Sequence, residues 1–117
     1  MKNLLRLEEL FMLVISLYGL YFLHAAWWVY LLLFIGPDIS MLGYLAGSGV
    51  GAACYNLFHH KGIAVLMILL GLVSNQQTFL VIGIVLFGHS SMDRFFGYGL
   101  KYSEGFKYTH LGKIGKE

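Results

Sequence analysis

Four apolar runs, each close to 20 residues long, follow one another along this 117-residue chain with two to four residues between them. They cover about residues 3–23, 26–47, 50–73 and 78–100. Roughly 20 apolar residues is what an α-helix needs to cross the hydrocarbon core of a bilayer. A segment in lipid must satisfy its backbone hydrogen bonds internally, which favours helix over open strand. The breaks at His24-Ala25, Gly47-Ser48-Gly49 and Ser74-Asn75-Gln76-Gln77 are short enough to force neighbouring helices antiparallel. The expected fold is therefore all-α: one domain over residues 1–117, an integral membrane four-helix up-down bundle. Composition agrees, with 58% hydrophobic and 12% charged residues and a mean hydropathy of +0.71, well outside the usual soluble range.

The first run follows a mixed-charge start (Lys2, Arg6, Glu8, Glu9) and has no small-residue cleavage site behind it, so it reads as a retained span. Pro37 interrupts the second run. A proline inside a helix removes one backbone hydrogen bond and clashes with the preceding turn, which predicts a kink or break at Gly36-Pro37. Irregular backbone at membrane depth is tolerated against protein or a water-filled cavity. Lys2 and Arg6 precede the first run and Lys101, Lys107, Lys113 and Lys116 follow the last. The positive-inside rule then places both termini in the cytoplasm, which an even number of spans satisfies. Trp27, Trp28 and Tyr30 would mark the outer interface, and residues 103–117 read as a cytoplasmic tail.

Position along a helix converts to depth at 1.5 Å per residue. Asp38 lies about 16 Å below the outer start of the second helix, His59 about 14 Å above the inner start of the third, and His89 about 16 Å below the outer start of the fourth. In a core of about 30 Å these side chains share one layer near the middle. Asp93 is one turn from His89 on the same face, and Asn56 stands one turn from His59. Glu8 near the inner end of the first helix, and Arg94 as a counter-charge, come within reach of the lower edge of that layer. A charged residue at the centre of a span costs roughly 2.5 to 3.5 kcal/mol, so Asp38, Asp93 and Arg94 together cost up to about 10. Whole domains are stable by about 5 to 15 kcal/mol. These groups must face inward and be compensated by each other, by water or by a cation.

Each residue also has a plain reading. Asp93 and Arg94 could form an interfacial ion pair, and either histidine alone could be a packing residue satisfied by a backbone carbonyl. His60 points about 100° away from His59 and is expected to be a bystander; His24 and His110 fall in a loop and in the tail. Cys54, the one cysteine, reads as a small packing residue and permits no internal disulfide. Gly43, Gly47 and Gly51 at spacing four suggest close helix contact. Ser90 and Ser91 lack the elbow that serine nucleophiles require. The net charge of +2, with no basic stripe, excludes a nucleic-acid partner.

The stretches "PDISMLGYLAG" (37–47), "YNLFHH" (55–60), "HSSMDRFFGYGLKY" (89–102) and "GFKYTHLG" (105–112) resemble a family of small bacterial membrane proteins catalogued as domain of unknown function 4260. The resemblance spans nearly the whole chain and implies a place in the bacterial inner membrane. The positions that match its pattern are Glu8, Asp38, Tyr55, Asn56, His59, His89, Asp93, Arg94, Tyr98, Gly99 and Lys101; Ser48 and Tyr108 depart from it. The Pro-Asp, the helix histidine and the His-x-x-x-Asp are also similar to patterns in small membrane-bound metal-dependent hydrolases.

Asp38, His59, His89 and Asp93 offer two nitrogen and two carboxylate ligands, a set suited to zinc, manganese or iron. Tyr55, Asn56, Arg94, Tyr98 and Lys101 would surround them. The expected function is metal-dependent hydrolysis of a lipid-like substrate, by a metal-activated water with Glu8 as base. The alternatives are a small oligomeric proton or cation transporter, with Asp38 beside unwound backbone, and a non-enzymatic accessory membrane subunit. The lipid bilayer is a partner in all three, and a homo-oligomer is expected for the transporter.

Overall fold

The computed structural model describes residues 1–97, 100, 108–109 and 111–113 of the chain. The first apolar run forms α1 (Lys2–Phe22). Its chain turns at His24, which adopts φ 56°, and the amides of Leu23, His24 and Ala25 close the last turn onto Gly19, Tyr21 and Leu20 carbonyls. The second run starts as α2 (Trp27–Ile35) and then tightens into a 3-10 helix over Gly36–Ala46. The expected break at Gly36-Pro37 is thus a change of helix type. An 11-residue 3-10 segment is long for a geometry that seldom exceeds three or four residues.

The third run is not one helix, contrary to the sequence expectation. It divides into α3 (Ser48–His59) and α4 (Lys61–Ser74), bent by 46° at an extended His60. His60, expected to stand apart from the candidate ligands, has a local role: its Nδ1 accepts the Gly62 amide at 2.9 Å and caps α4. α4 ends on Asn75 in the left-handed conformation (φ 60°), with the Gln76 amide returning to the Gly71 carbonyl. The fourth run forms α5 (Gln77–Phe95), which stops five residues short of the expected Leu100. Beyond it, two-residue strands β1 (Tyr108–Thr109) and β2 (Gly112–Lys113) pair antiparallel.

α5 is the centre of the bundle, with α1 on one side and α4 on the other, while α3 packs chiefly on the 3-10 segment. Close approach uses glycines: a side chain at Gly71 would meet the Leu80 backbone, and one at Gly83 would meet the Ile68 amide and Ala64 carbonyl. Gly43 and Gly51 let the 3-10 segment and α3 close on Cys54 and Tyr44, whereas Gly47 sits in the turn with φ 119°.

Polarity runs opposite to that of a soluble domain. Leu20, Val29, Leu33 and Val85 make a small apolar core towards the α1–α2 turn. Ser16, Ser40, His59, His89, Ser90, Ser91 and Asp93 are also buried, while large apolar side chains such as Phe11, Ile15, Trp27, Ile39, Leu70 and Val73 are exposed. Among the described residues, one helical rod, Trp27–Ala46, is long and apolar enough to cross a membrane, and the bent pair α3–α4 is a second if counted as one span. α1 with Arg6, Glu8 and Glu9, and α5 with His89, Asp93 and Arg94, carry too many polar residues to pass on composition.

Candidate metal centre

Four side chains from three runs converge beside α5. Asp38 comes from the first turn of the 3-10 segment, His59 from the last residue of α3, and His89 and Asp93 from successive turns of α5. One ligand atom from each lies within 4.8 Å of the others. His89 Nε2 is 3.0 Å from Asp38 Oδ1 and 3.5 Å from Asp93 Oδ2; His59 Nε2 is 3.5 Å from Asp38 Oδ1 and 3.2 Å from Asp93 Oδ2. The histidine side chains are 3% and 0% exposed and Asp93 12%, but Asp38 is 44% exposed, which leaves the set open on one side.

The far side of each imidazole decides what the near side can do. His59 Nδ1 is 2.8 Å from the Tyr55 carbonyl oxygen and His89 Nδ1 is 2.7 Å from that of Leu33. The carbonyls can only accept, so both Nδ1 atoms donate; each Nε2 is a second donor in a protonated ring, as the 3.0 Å from His89 Nε2 to Asp38 Oδ1 allows, and a lone pair in a neutral one. Two lone-pair nitrogens and two carboxylate oxygens then face one another in a buried space. Such a set repels itself unless positive charge stands between, as ring protons or as a metal ion. His59 Nε2 makes no hydrogen bond although it is buried.

The spacing fits a metal. With bonds of about 2.0–2.2 Å to nitrogen and oxygen, tetrahedral ligand atoms stand about 3.3–3.6 Å apart; the four nitrogen–oxygen separations here are 3.0 to 3.5 Å, and the nitrogen–nitrogen and oxygen–oxygen pairs lie within 4.8 Å. Imidazoles that donate their second nitrogen to a carbonyl are the usual support of metal-bound histidine.

Neighbours hold the set in place. Tyr55, one turn before His59, stacks its ring on the imidazole with centroids 3.8 Å apart and planes 5° from parallel, and its hydroxyl donates to Asp93 Oδ2 at 2.9 Å. His59 and His89 meet edge to face at 4.9 Å. Ser90 Oγ donates to the His59 carbonyl at 2.9 Å, a group left without its helical partner because α3 ends there. Ser90 therefore ties α3 to α5.

The other expected residues fall around or away from this centre. Asn56 is half-buried on α3 and Arg94 half-buried in the last turn of α5, both outside the four-residue set. The described ion partners of Asp93 are the two histidines, not Arg94. Glu8 is exposed on α1 and is not brought to the centre. Tyr98 and Lys101 lie outside the described residues. The neighbouring Glu9 is the acid that turns inward: it pairs with Lys61 at the start of α4, whose ammonium also lies 3.0 Å from Met12 Sδ and 5.5 Å from the Phe87 ring centre. The sequence held a signal for this pair. Glu9, Met12, Ser16 and Leu20 share one face of α1, and Ser16 and Leu20 are the buried residues of that helix.

A family model for a domain of unknown function matches residues 2–114. No curated protein and no solved structure matches the chain.

Proposed function

Because the chain belongs to the DUF4260 family, whose description assigns no activity, its function has to be argued from its own residues, and we propose that it is a membrane-embedded metal-dependent hydrolase of lipid-like substrates. The observation that carries this is the convergence of four acceptor atoms, with both imidazole protons committed to carbonyls on the far side. Zinc, manganese or iron would be held by Asp38, His59, His89 and Asp93, and would supply Lewis acidity and water activation.

The membrane setting is supported by the apolar exterior around buried polar groups. Continuous exposed apolar surface beyond a few hundred Å² is uncommon on soluble monomers. In this reading α1, α2 with the 3-10 segment, α3 with α4, and α5 are four crossings of the inner membrane, with both termini in the cytoplasm. The substrate class is supported by a cleft of about 710 Å³ between α2, the 3-10 segment and α5. Pro37, Ile39, Phe58 and Leu86 line its inner end, each within three residues of Asp38, His59 or His89, while His24 and Thr78 lie at its other end. The four residues of the centre do not themselves line the cleft, so an apolar chain laid in it would lie beside them, and the partly exposed Asp38 is the one of the four open to a polar linkage.

The test is turnover of defined ester and phosphoester lipids by purified protein in liposomes. Hydrolysis should be abolished by chelation and restored by one of the three metals, and His89→Ala should lower it at least about 100-fold. Absence of turnover across both lipid classes, or turnover indifferent to chelation, contradicts the reading. One observation favours proton or cation passage instead: the non-α backbone beside Asp38, which resembles the broken helices of transporters. Asp38-dependent flux without hydrolysis would select it.

A further inference from the structure

The carbonyl that receives His89 Nδ1 belongs to Leu33, in the last turn of α2, where the chain continues into the 3-10 segment. In a continuous α-helix that oxygen accepts the amide of the residue four positions on, which here is Pro37, the chain's one proline and a residue with no N–H. The Gly36 amide goes to Leu32. Proline thus vacates an acceptor in the last turn of α2, and the histidine of another helix takes it at 2.7 Å. The approach also needs Gly88, where a side-chain carbon would stand 2.7 Å from Leu33 Cδ1 and 2.9 Å from Ser16 Cβ.

We propose that Pro37 is a positioning residue for His89: by leaving the Leu33 carbonyl open it commits the Nδ1 proton and turns Nε2 toward Asp38 and Asp93. Gly88 has the companion role of letting α5 come close enough for the bond. The proposal deepens the metal-centre reading. It separates two effects of one residue, since Pro37 both introduces the 3-10 segment that carries Asp38 and sets the tautomer of a histidine 52 positions later in the chain.

The experiment uses the full chain, labelled with ¹⁵N-histidine, in detergent or nanodiscs without metal, at alkaline pH. In the native protein His89 Nδ1 should hold a proton in every molecule, with Nε2 either bare or, when no metal stands between the carboxylates, protonated as well. Pro37→Ala restores an amide to compete for Leu33, so the ring should become a mixture of tautomers, and zinc or manganese affinity should fall about 10- to 100-fold. Gly88→Ala should give the same tautomer mixture through separation of α5 from α2. Asp38→Asn serves as contrast: it should lose metal while His89 stays Nδ1-protonated. A native ring that holds its proton on Nε2 alone, in all or part of the molecules, overturns the proposal, as does a Pro37→Ala protein whose His89 Nδ1 remains wholly protonated. The tautomer is read without metal, so a native protein that binds none would sink the metal reading and leave this assignment separately decided.

Discussion

Tyr55 touches the candidate centre in three ways: its carbonyl takes the His59 Nδ1 proton, its ring stacks on the imidazole and its hydroxyl donates to Asp93. Tyr55→Phe keeps the first two and removes the third. Asp93 Oδ2 then loses the hydrogen bond that orients it, and metal affinity is expected to fall about tenfold with the helical content unchanged, as measured by competition titration and circular dichroism. An affinity equal to that of the native protein would assign the hydroxyl to packing. At this scale the sequence was informative where a residue's role follows from its distance along a helix. Asp38, His59 and His89 come to one layer because residue count sets depth, and Asp93 follows from its four-residue spacing. Roles that depend on rotation about a helix axis were harder to read. Glu8 and Glu9 differ by about 100° on α1, and it is Glu9 that meets a partner, Lys61, from a helix 52 residues away.

At the scale of elements, the 3-10 segment and α3 form a hairpin bounded by two helix discontinuities, one at Gly36-Pro37 and one at His60. Within it, packing is close at Gly43 and Gly51. Its described polar ties to α5 are the bond from Ser90 to His59, the bond from Tyr55 to Asp93, and the four-residue centre itself. Asp38 and His59 stand beside the two discontinuities, so the centre links the hairpin to the rest of the bundle. Hydrogen exchange should therefore rise selectively over residues 36–59 in His89→Ala or Asp93→Asn, while α1 and the first half of α5 keep their native protection. A uniform rise, or none, would show that packing alone holds the hairpin. The break at Pro37 was visible in the sequence because proline lacks an amide. The break at His60 was not, because no proline marks it; the residue after it, Lys61, pairs with Glu9 on α1, a contact set by tertiary packing. Lys61, the one lysine, arginine, aspartate or glutamate in the third run, was the available sign.

For the whole molecule, among the described residues, many large apolar side chains lie outside while His59, His89, Asp93, Ser16, Ser40, Ser90 and Ser91 lie inside. A buried set of two imidazole nitrogens and two carboxylates, with the ring protons already engaged, is a poor arrangement without a cation and a good one with it. The central claim is that this cation is a transition metal. The direct measurement is elemental analysis of protein extracted from membranes, with His24→Ala, which alters a turn residue away from the centre, as control. The account predicts about one zinc, manganese or iron per chain in the native and His24→Ala proteins, and loss of that metal in His59→Ala and His89→Ala. Native protein free of transition metal after metal-supplemented growth, or His59→Ala and His89→Ala proteins that retain the native content, would contradict it.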